Sequence, residues 1–335
     1  MAVAEALRAR GASVTFAGSP DRVESQLVPE AGFELDTFAV SGFPRRIGLG
    51  LLRALSQAVR APFACSRILG RRKPHVVLGG GGYVAGPMVL AARLRGIPTA
   101  LTEADAHFGL ANRLAAPFAR RVFLAYSIPG RNGRKYEVVG RPIPVAHLGA
   151  SREEGRERFG LPAEGRVLAI FGGLAGAQAL NDLAIEAFGV SGPAVLHVSG
   201  ERDYEAVRAR VQREDYVLVA STDHFGAALA AADLAISRAG GTVWELAAAG
   251  TPAILVPYPH ATADHQALNA RYFADGGGAV VVDQSRLSEV PALAVELLGD
   301  SARLASMHDA MLALAKPQAA DVVADELLAL AGSRR

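Results

Sequence analysis

The sequence predicts an α/β protein of two doubly wound, parallel-sheet domains in series. Three observations predict it. Apolar, β-branched runs alternate with alanine-rich helical segments, several of those runs end in glycine, and the alternation restarts after a stretch rich in glycine, proline and charge. At 335 residues, with half the residues apolar and a fifth charged, the chain can form two ordinary domains and is far from a disordered composition. Cys65 is the only cysteine, so an intrachain disulfide or a cysteine metal cluster is excluded. We expect no signal peptide, and no apolar run approaches the roughly twenty residues that span a bilayer.

The chain opens on an amphipathic helical pattern, MAVAEALRARG, and only then reaches a strand at 13–18. A doubly wound domain ordinarily begins with a strand and a glycine-rich turn, and that strand is central in the sheet. Open edges inside the first sheet, and a sequence whose start falls late, are therefore expected. Further strands are predicted at 75–80, 98–103, 121–126 and 136–140. A second set follows at 166–173, 194–200, 216–221, 234–240, 253–258 and 279–283. These place a first domain at 1–140, a linker at 141–150 and a second domain at 151–316. A closing helix, Asp321–Leu330, follows Pro317 within 317–335 and can pack back on the first domain.

The formal charge of +2 conceals an asymmetry. Between Asp36 and Glu103 there is no acidic residue, while Arg45, Arg46, Arg53, Arg60, Arg67, Arg71, Arg72 and Lys73 alternate with Ile47, Leu51, Leu55, Phe63 and Ile68. Such a segment can lie on an anionic membrane surface or touch a phosphorylated ligand. A solvated basic helix packed by its apolar side is the plainer alternative. Nucleic acid is not expected, because aromatic residues are scarce in the patch and no reader motif is present.

The richest chemistry lies at 236–250, ISRAGGTVWELAAAG. A strand, a glycine loop and a helix make an anion site, since free backbone N–H groups and the helix dipole meet the ligand there. Gly240 and Gly241 are expected to take positive φ and let the backbone come close. Thr242 can cap the helix or donate to a phosphate. Glu245, three residues on, has capping-box spacing with Thr242. The functional alternative is a carboxylate that accepts hydrogen bonds from a ribose diol. A second loop, with Gly172, Gly173 and Gly176, also joins a strand to a helix. A third segment, 257–270, sets Asp264, His265, Gln266 and Asn269 after a strand. His260 and His265 lack zinc-helix spacing, so no metal is expected; contacts to a sugar fit better, with Asp264 readable as a helix cap. All three loops leave the carboxyl ends of strands, where open α/β sheets bind ligands.

The run SRAGGTVWELAAAGTPAILVPYPHATADHQALNA resembles the signature of the MurG family, UDP-N-acetylglucosamine transferases that make the lipid-linked disaccharide of peptidoglycan. The likeness continues through GGYVAGP (81–87), GLANRLA (109–115), FGGLAGAQALN and AAADLAIS (230–237). It implies a GT-B arrangement, two Rossmann-like domains facing a cleft, with the donor on the second domain and the lipid acceptor on the first. By resemblance, Glu245 holds the ribose hydroxyls. Ala239, Gly240, Gly241 and Thr242 meet the diphosphate and sugar, as does the loop Gly172, Gly173, Leu174 and Gly176. His265, Gln266 and Asn269 touch the GlcNAc hydroxyls, and Thr222 sits where backbone reads the uracil edge. Gly80, Gly81, Gly82 and Tyr83 resemble the loop near the acceptor diphosphate. Arg45, Arg46, Arg53, Arg71 and Arg72 resemble part of a membrane-facing patch. Implied partners are UDP-GlcNAc, lipid-linked MurNAc-pentapeptide and an anionic membrane surface, with peripheral attachment on the cytoplasmic face and no cofactor.

The chain departs from the family at named positions. The family's glycine loop ending in histidine would precede Met1. TEAD (Thr102–Asp105) stands for HEQN, GRPIP places Pro144 where an arginine is usual, and Leu174 replaces a hydroxyl donor. The resemblance implies attack by an acceptor C4 hydroxyl on the anomeric carbon of UDP-GlcNAc, with inversion. Glu103, Asp105 and His107 are the candidates for its base. Another UDP-sugar enzyme of this arrangement, such as a glycolipid transferase or an epimerase, and a non-catalytic nucleotide-sugar-binding protein are the rival readings.

Overall fold

The computed structural model describes residues 1–40, 49–172 and 177–333, with backbone alone at 49–56, 58 and 59. The chain divides into two compact units, Met1–Pro144 with Gln318–Arg335, and Val145–Pro317. In the first unit, α1 (Ala2–Ala9), β1 (Thr15–Gly18), α2 (Glu24–Glu30), β2 (Glu34–Thr37), α3 (Leu49–Arg72), β3 (Val77–Gly79) and α4 (Gly82–Leu94) follow one another. Then come β4 (Thr99–Glu103), α5 (Leu110–Ala115), β5 (Arg121–Leu124) and β6 (Tyr136–Val138). Strand β2 is not among those the sequence predicts. Its residues, ELDT, are mostly polar, and only Asp36 is buried, so no apolar run marks it.

The first unit carries two parallel sheets, β1-β2 and β3-β4-β5-β6, and among the described residues no strand joins β1 to β3. The same helices nevertheless cover both. On one side, Ala4 of α1 packs with Val28, Phe33 and Phe16, while Val3 and Leu7 pack with Ala100 and Phe123 of the larger sheet. On the other, Ala17 of β1 and Val77 of β3 both touch a cluster from α3 and α4 that includes Cys65, Leu69, Met88 and Ala92. Cys65 has no exposed surface, and burial pushes its thiol up to about 12, which keeps it an unreactive filler.

The second unit contains α6 (Arg152–Phe159), β7 (Val167–Phe171), α7 (Gln178–Phe188), β8 (Ala194–Val198), α8 (Tyr204–Arg208) and β9 (Tyr216–Val219). It continues with α9 (Phe225–Ala230), β10 (Leu234–Ser237), α10 (Thr242–Ala249), β11 (Ala253–Leu255), α11 (His265–Asp275), β12 (Ala279–Val281), α12 (Val290–Gly299) and α13 (Ser301–Leu314). Its strands form one parallel sheet in the order β12-β11-β10-β7-β8-β9. Strand β7 is central and fully apolar, as expected of a strand covered on both faces. The order reverses between β7 and β10, so their carboxyl ends flank a topological switch point, the ligand crevice of such sheets. Helix α6 is a short, charged element that starts on a capping box, Ser151 with Glu154, and Arg156 anchors it to the sheet. The buried Asp233 carboxylate accepts from Arg156 at 2.9 Å, Arg166 at 2.9 Å and the Val167 N–H at 2.8 Å.

The last helix, α14 (Ala319–Gly332), returns to the first unit. Val323 and Leu327 join Ala100, Phe123 and Val139 in its core, and Ala320 and Ala324 meet Ala2 and Ala6 of α1. Arg10 at the end of α1 bonds Asp325 at 2.7 Å and Asp321 at 2.9 Å.

Candidate functional site

In the second unit, β10 delivers the chain to a short loop, Arg238–Gly241, and α10 begins at Thr242. No side chain caps α10. The Val243 and Trp244 N–H groups turn back to the Gly240 and Gly241 carbonyls at 3.4 and 3.1 Å, which leaves the N–H groups of Gly240, Gly241 and Thr242 to meet a ligand. Neither Gly240 nor Gly241 has a positive φ; Gly241 lies at φ −61°, ψ −26°. The expectation of left-handed glycines is therefore corrected. A Cβ at Gly240 would meet nothing within 4 Å, so the fold does not need glycine there and the space is left for something else. The Asn269 amide donates to the Ala239 carbonyl at 3.2 Å, which ties the loop to α11.

Arg238 opens that loop and is 8% exposed. Its guanidinium donates to the carbonyls of Val256 (3.1 Å) and Pro257 (3.3 Å) and to Gln284 Oε1 (2.6 Å), and it lies over the Tyr258 ring. Burial lowers its pKa, but an arginine remains charged. Among the described residues no carboxylate neutralises it. A buried cation held by neutral acceptors gives the mouth of the sheet a positive potential that suits an anion.

Glu245 projects from the first turn of α10, and the capping-box reading is corrected here. Thr242 is the first helical residue rather than the N-cap, and it makes no capping bond. Glu245 Oε1 instead accepts from His147 Nδ1 at 2.5 Å. Asp264 does occupy the N-cap position of α11, at φ 53°, but its side chain makes no capping bond.

The other expected donor residues fall into four groups. Gln266 and His265 are committed locally: Gln266 Oε1 accepts from the Tyr258 N–H at 2.9 Å, and His265 Nδ1 donates to the Thr262 carbonyl at 2.8 Å. Thr222 Oγ1 accepts from the His224 N–H at 3.0 Å, which shapes the loop after β9. Asn269 is fully buried beneath the loop and holds its backbone at the Ala239 carbonyl. Gly172 directly follows β7 at the same mouth, whereas Gly173, Leu174 and Gly176 lie outside the described residues. Sequence reasoning missed His147 and Arg238. A lone arginine at the end of a buried strand was the available signal for Arg238; nothing in the sequence links His147 to Glu245.

In the first unit, Gly79 ends β3, and Gly81 (φ 88°) and Gly82 (φ 67°) turn the chain into α4. The turn requires glycine at these two positions. Gly80 leaves open space on its Cβ side, and Tyr83 follows with Arg22 near its ring. Glu103 is 8% exposed and serves the next loop. Its Oε2 accepts from the Gly109 N–H and from Asn112 Nδ2, both at 2.9 Å, and Oε1 accepts from the Asp105 N–H at 3.3 Å. Among the three base candidates, Glu103 is thus taken up in ordering the loop, and Asp105 and His107 stand half-buried on it. Of the basic stretch, Arg45 and Arg46 lie outside the described residues, as does the side chain of Arg53. Arg71 and Arg72, at the end of α3, pair with β2. Both bond Asp36, Arg72 also pairs with Glu34 at 2.6 Å, and Arg72 holds the Asp36 carboxyl below its usual range.

Comparison with known proteins follows this geometry. The glycosyltransferase family 28 N-terminal domain matches residues 1–124, and the family's C-terminal domain matches 167–323. The chain belongs to this family. Within the family it is similar to UDP-N-acetylglucosamine–N-acetylmuramyl-(pentapeptide) pyrophosphoryl-undecaprenol N-acetylglucosamine transferases. The protein of Halothermothrix orenii is 37% identical over 95% of this chain and 91% of that protein. The Acidithiobacillus ferrooxidans protein is 41% identical over 99% and 94%. The crystal structure of MurG from Acinetobacter baumannii superposes with a TM-score of 0.79 at 30% identity, covering 98% of this chain and 94% of that one. The chain is thus a glycosyltransferase of the MurG group built of two parallel-sheet α/β units.

Proposed function

We propose that the chain transfers GlcNAc from UDP-GlcNAc to the C4 hydroxyl of undecaprenyl-diphospho-MurNAc-pentapeptide, with inversion at the anomeric carbon. The observation that carries this reading is the mouth of the second unit. There an uncapped helix start, an open glycine at 240 and the buried Arg238 cation suit a diphosphate, while Glu245 stands one turn away to accept ribose hydroxyls. As the acceptor oxygen bonds to the anomeric carbon, the bond to UDP breaks and negative charge collects on the diphosphate. Backbone N–H groups at 240–242 stabilise that charge, and losing one such donor costs on the order of 3 kcal/mol of barrier. The hydroxyl proton passes to a base on the acceptor side, for which Asp105 and His107 are the candidates and Glu103 orders their loop. We further propose peripheral attachment to the cytoplasmic face of the cell membrane through the first unit. Phe63, Leu94, Leu110 and Leu114 are exposed there, on α3, α4 and α5, beside Arg60, Arg67, Arg93 and Arg113. No helix among the described residues is long and apolar enough to cross a membrane.

Replacement of Glu245 by alanine should weaken UDP-GlcNAc binding roughly tenfold by calorimetry, because it removes a charged acceptor for two hydroxyls. Unchanged affinity in a folded variant would remove the ribose role. Product analysis with UDP-GlcNAc and a lipid-linked acceptor should yield the disaccharide. An epimerised sugar, or no turnover in the presence of acceptor, would overturn the transferase reading.

A further inference from the structure

We infer that His147 is a positioning residue for Glu245, fixing the carboxylate in the direction from which it receives the ribose diol. This rests on the ribose role proposed above. The two residues are 98 positions apart in sequence, yet His147 Nδ1 lies 2.5 Å from Glu245 Oε1, short even for a charge-assisted bond. The carboxylate must accept, so the proton sits on His147 Nδ1. Both side chains keep solvent access, at 23% for His147 and 17% for Glu245, so the pair lies at the wall of the mouth and not inside the core. Among the described residues Glu245 Oε2 receives no protein hydrogen bond, and the lone pairs needed for a diol remain available.

His147 is itself held in place. It ends a 3₁₀ turn, Val145–His147, closed by the Leu148 N–H on the Val145 carbonyl at 3.0 Å. Its ring tilts against Phe225, with centroids 6.0 Å apart, and Phe225 meets Phe171 edge-on at 5.2 Å. Phe171 is the last residue of β7, directly before the glycine loop. The His147 backbone also presses on α9, where a Cβ at Gly226 would sit 2.4 Å from the His147 carbonyl oxygen. Glycine at 226 is therefore what lets this turn come close enough for the imidazole to reach α10. A glutamate on a helix surface samples many rotamers and loses that freedom when it grips a ligand. A glutamate whose one oxygen is already anchored to a wedged imidazole has less to lose, and the ligand benefits.

The test is calorimetry of UDP binding to the full chain carrying His147→Ala, His147→Phe or His147→Asn. Phenylalanine keeps the ring contact with Phe225 but cannot donate, whereas asparagine places an amide N–H near the position of Nδ1. Alanine and phenylalanine should each weaken UDP roughly fivefold or more. Asparagine should restore affinity to within about twofold. The loss should shrink with 2′-deoxyuridine diphosphate, which offers one hydroxyl fewer, and should vanish in a Glu245→Ala background. In turnover, KM for UDP-GlcNAc should rise while kcat changes little. Wild-type affinity in His147→Phe, tighter binding, or an equal loss with Glu245 absent would overturn the positioning role. If Glu245→Ala itself leaves UDP affinity unchanged, the ribose reading fails first, and the two failures are told apart by that single variant.

Discussion

His197 sits on β8 with no exposed surface, and its two ring nitrogens have different tasks. The Asn181 amide nitrogen donates to the Ser199 carbonyl and to Asp203, both at 3.0 Å, so Asn181 Oδ1 must accept from His197 Nε2 at 2.9 Å. His197 Nδ1 then accepts from the Tyr216 hydroxyl at 2.8 Å. This neutral tautomer is locked in by burial, which pulls the imidazole down from 6.5 to about 4. The folded pKa lies below the unfolded one, so the unfolded chain takes up the proton first. Stability is therefore unaffected above about pH 6.5 and falls as pH drops toward 4. Between pH 7 and pH 5 this group should remove about 2 kcal/mol, read as a shift in the urea midpoint. A His197→Asn chain should show a shallower pH dependence from a lower starting stability; an equal slope would show that the acid sensitivity comes from elsewhere. At the same scale, the ligand candidates Glu245 and Thr242 were legible because glycine loops after apolar strands have few other uses. What Glu245 touches was not legible, because His147 approaches it from a distant part of the chain.

At the scale of elements, periodicity sufficed wherever a strand is buried on both faces. All of β7 through β12 fall inside runs that read as apolar strands, and β2 was missed because an exposed edge strand of four residues has no such run. Helix α14 is the opposite case: its existence was plain from its pattern, whereas its partner depended on which unit offered a complementary face. Val323 is 0% and Leu327 1% exposed, and burying each is worth about 1.5–3 kcal/mol. A chain ending at Pro317 should thus lose several kcal/mol from the first unit, a large share of a typical domain's stability. Calorimetry should show the transition of that unit moved to lower temperature, with the transition of the second unit little changed. An unaltered trace would mean that α14 is a passenger.

For the whole molecule, charge placement matters more than the net value of +2. The acid-free segment is balanced in part by its neighbours, since Arg71 and Arg72 serve Glu34 and Asp36. Exposed apolar side chains lie among and after its remaining basic residues: Phe63 at 70% within the segment, and Leu110 and Leu114 at 66% each on α5, beyond Glu103. Serine at these three positions should reduce co-sedimentation with phosphatidylglycerol vesicles, and UDP affinity, proposed to belong to the second unit, should stay at the wild-type value. Binding by the unaltered chain should also weaken with salt, because its electrostatic part is screened over about 10 Å at 0.1 M. Equal sedimentation by the serine variant would remove the membrane proposal.

The sequence by itself determined the two parallel-sheet units, the strand-loop-helix frame at the mouth of the second unit and the family, because these depend on local periodicity and on glycine placed after apolar strands. Tertiary structure alone decided that Arg71 and Arg72 pair with Asp36, and that Glu103 is bound up in its own loop. It also decided that Glu245 answers to His147 rather than to Thr242. The physical reason is common to all three: a charged side chain is directed by whichever partner folding brings within hydrogen-bond reach. Those partners lie on other elements or across a loop, where neither helical nor strand spacing points to them.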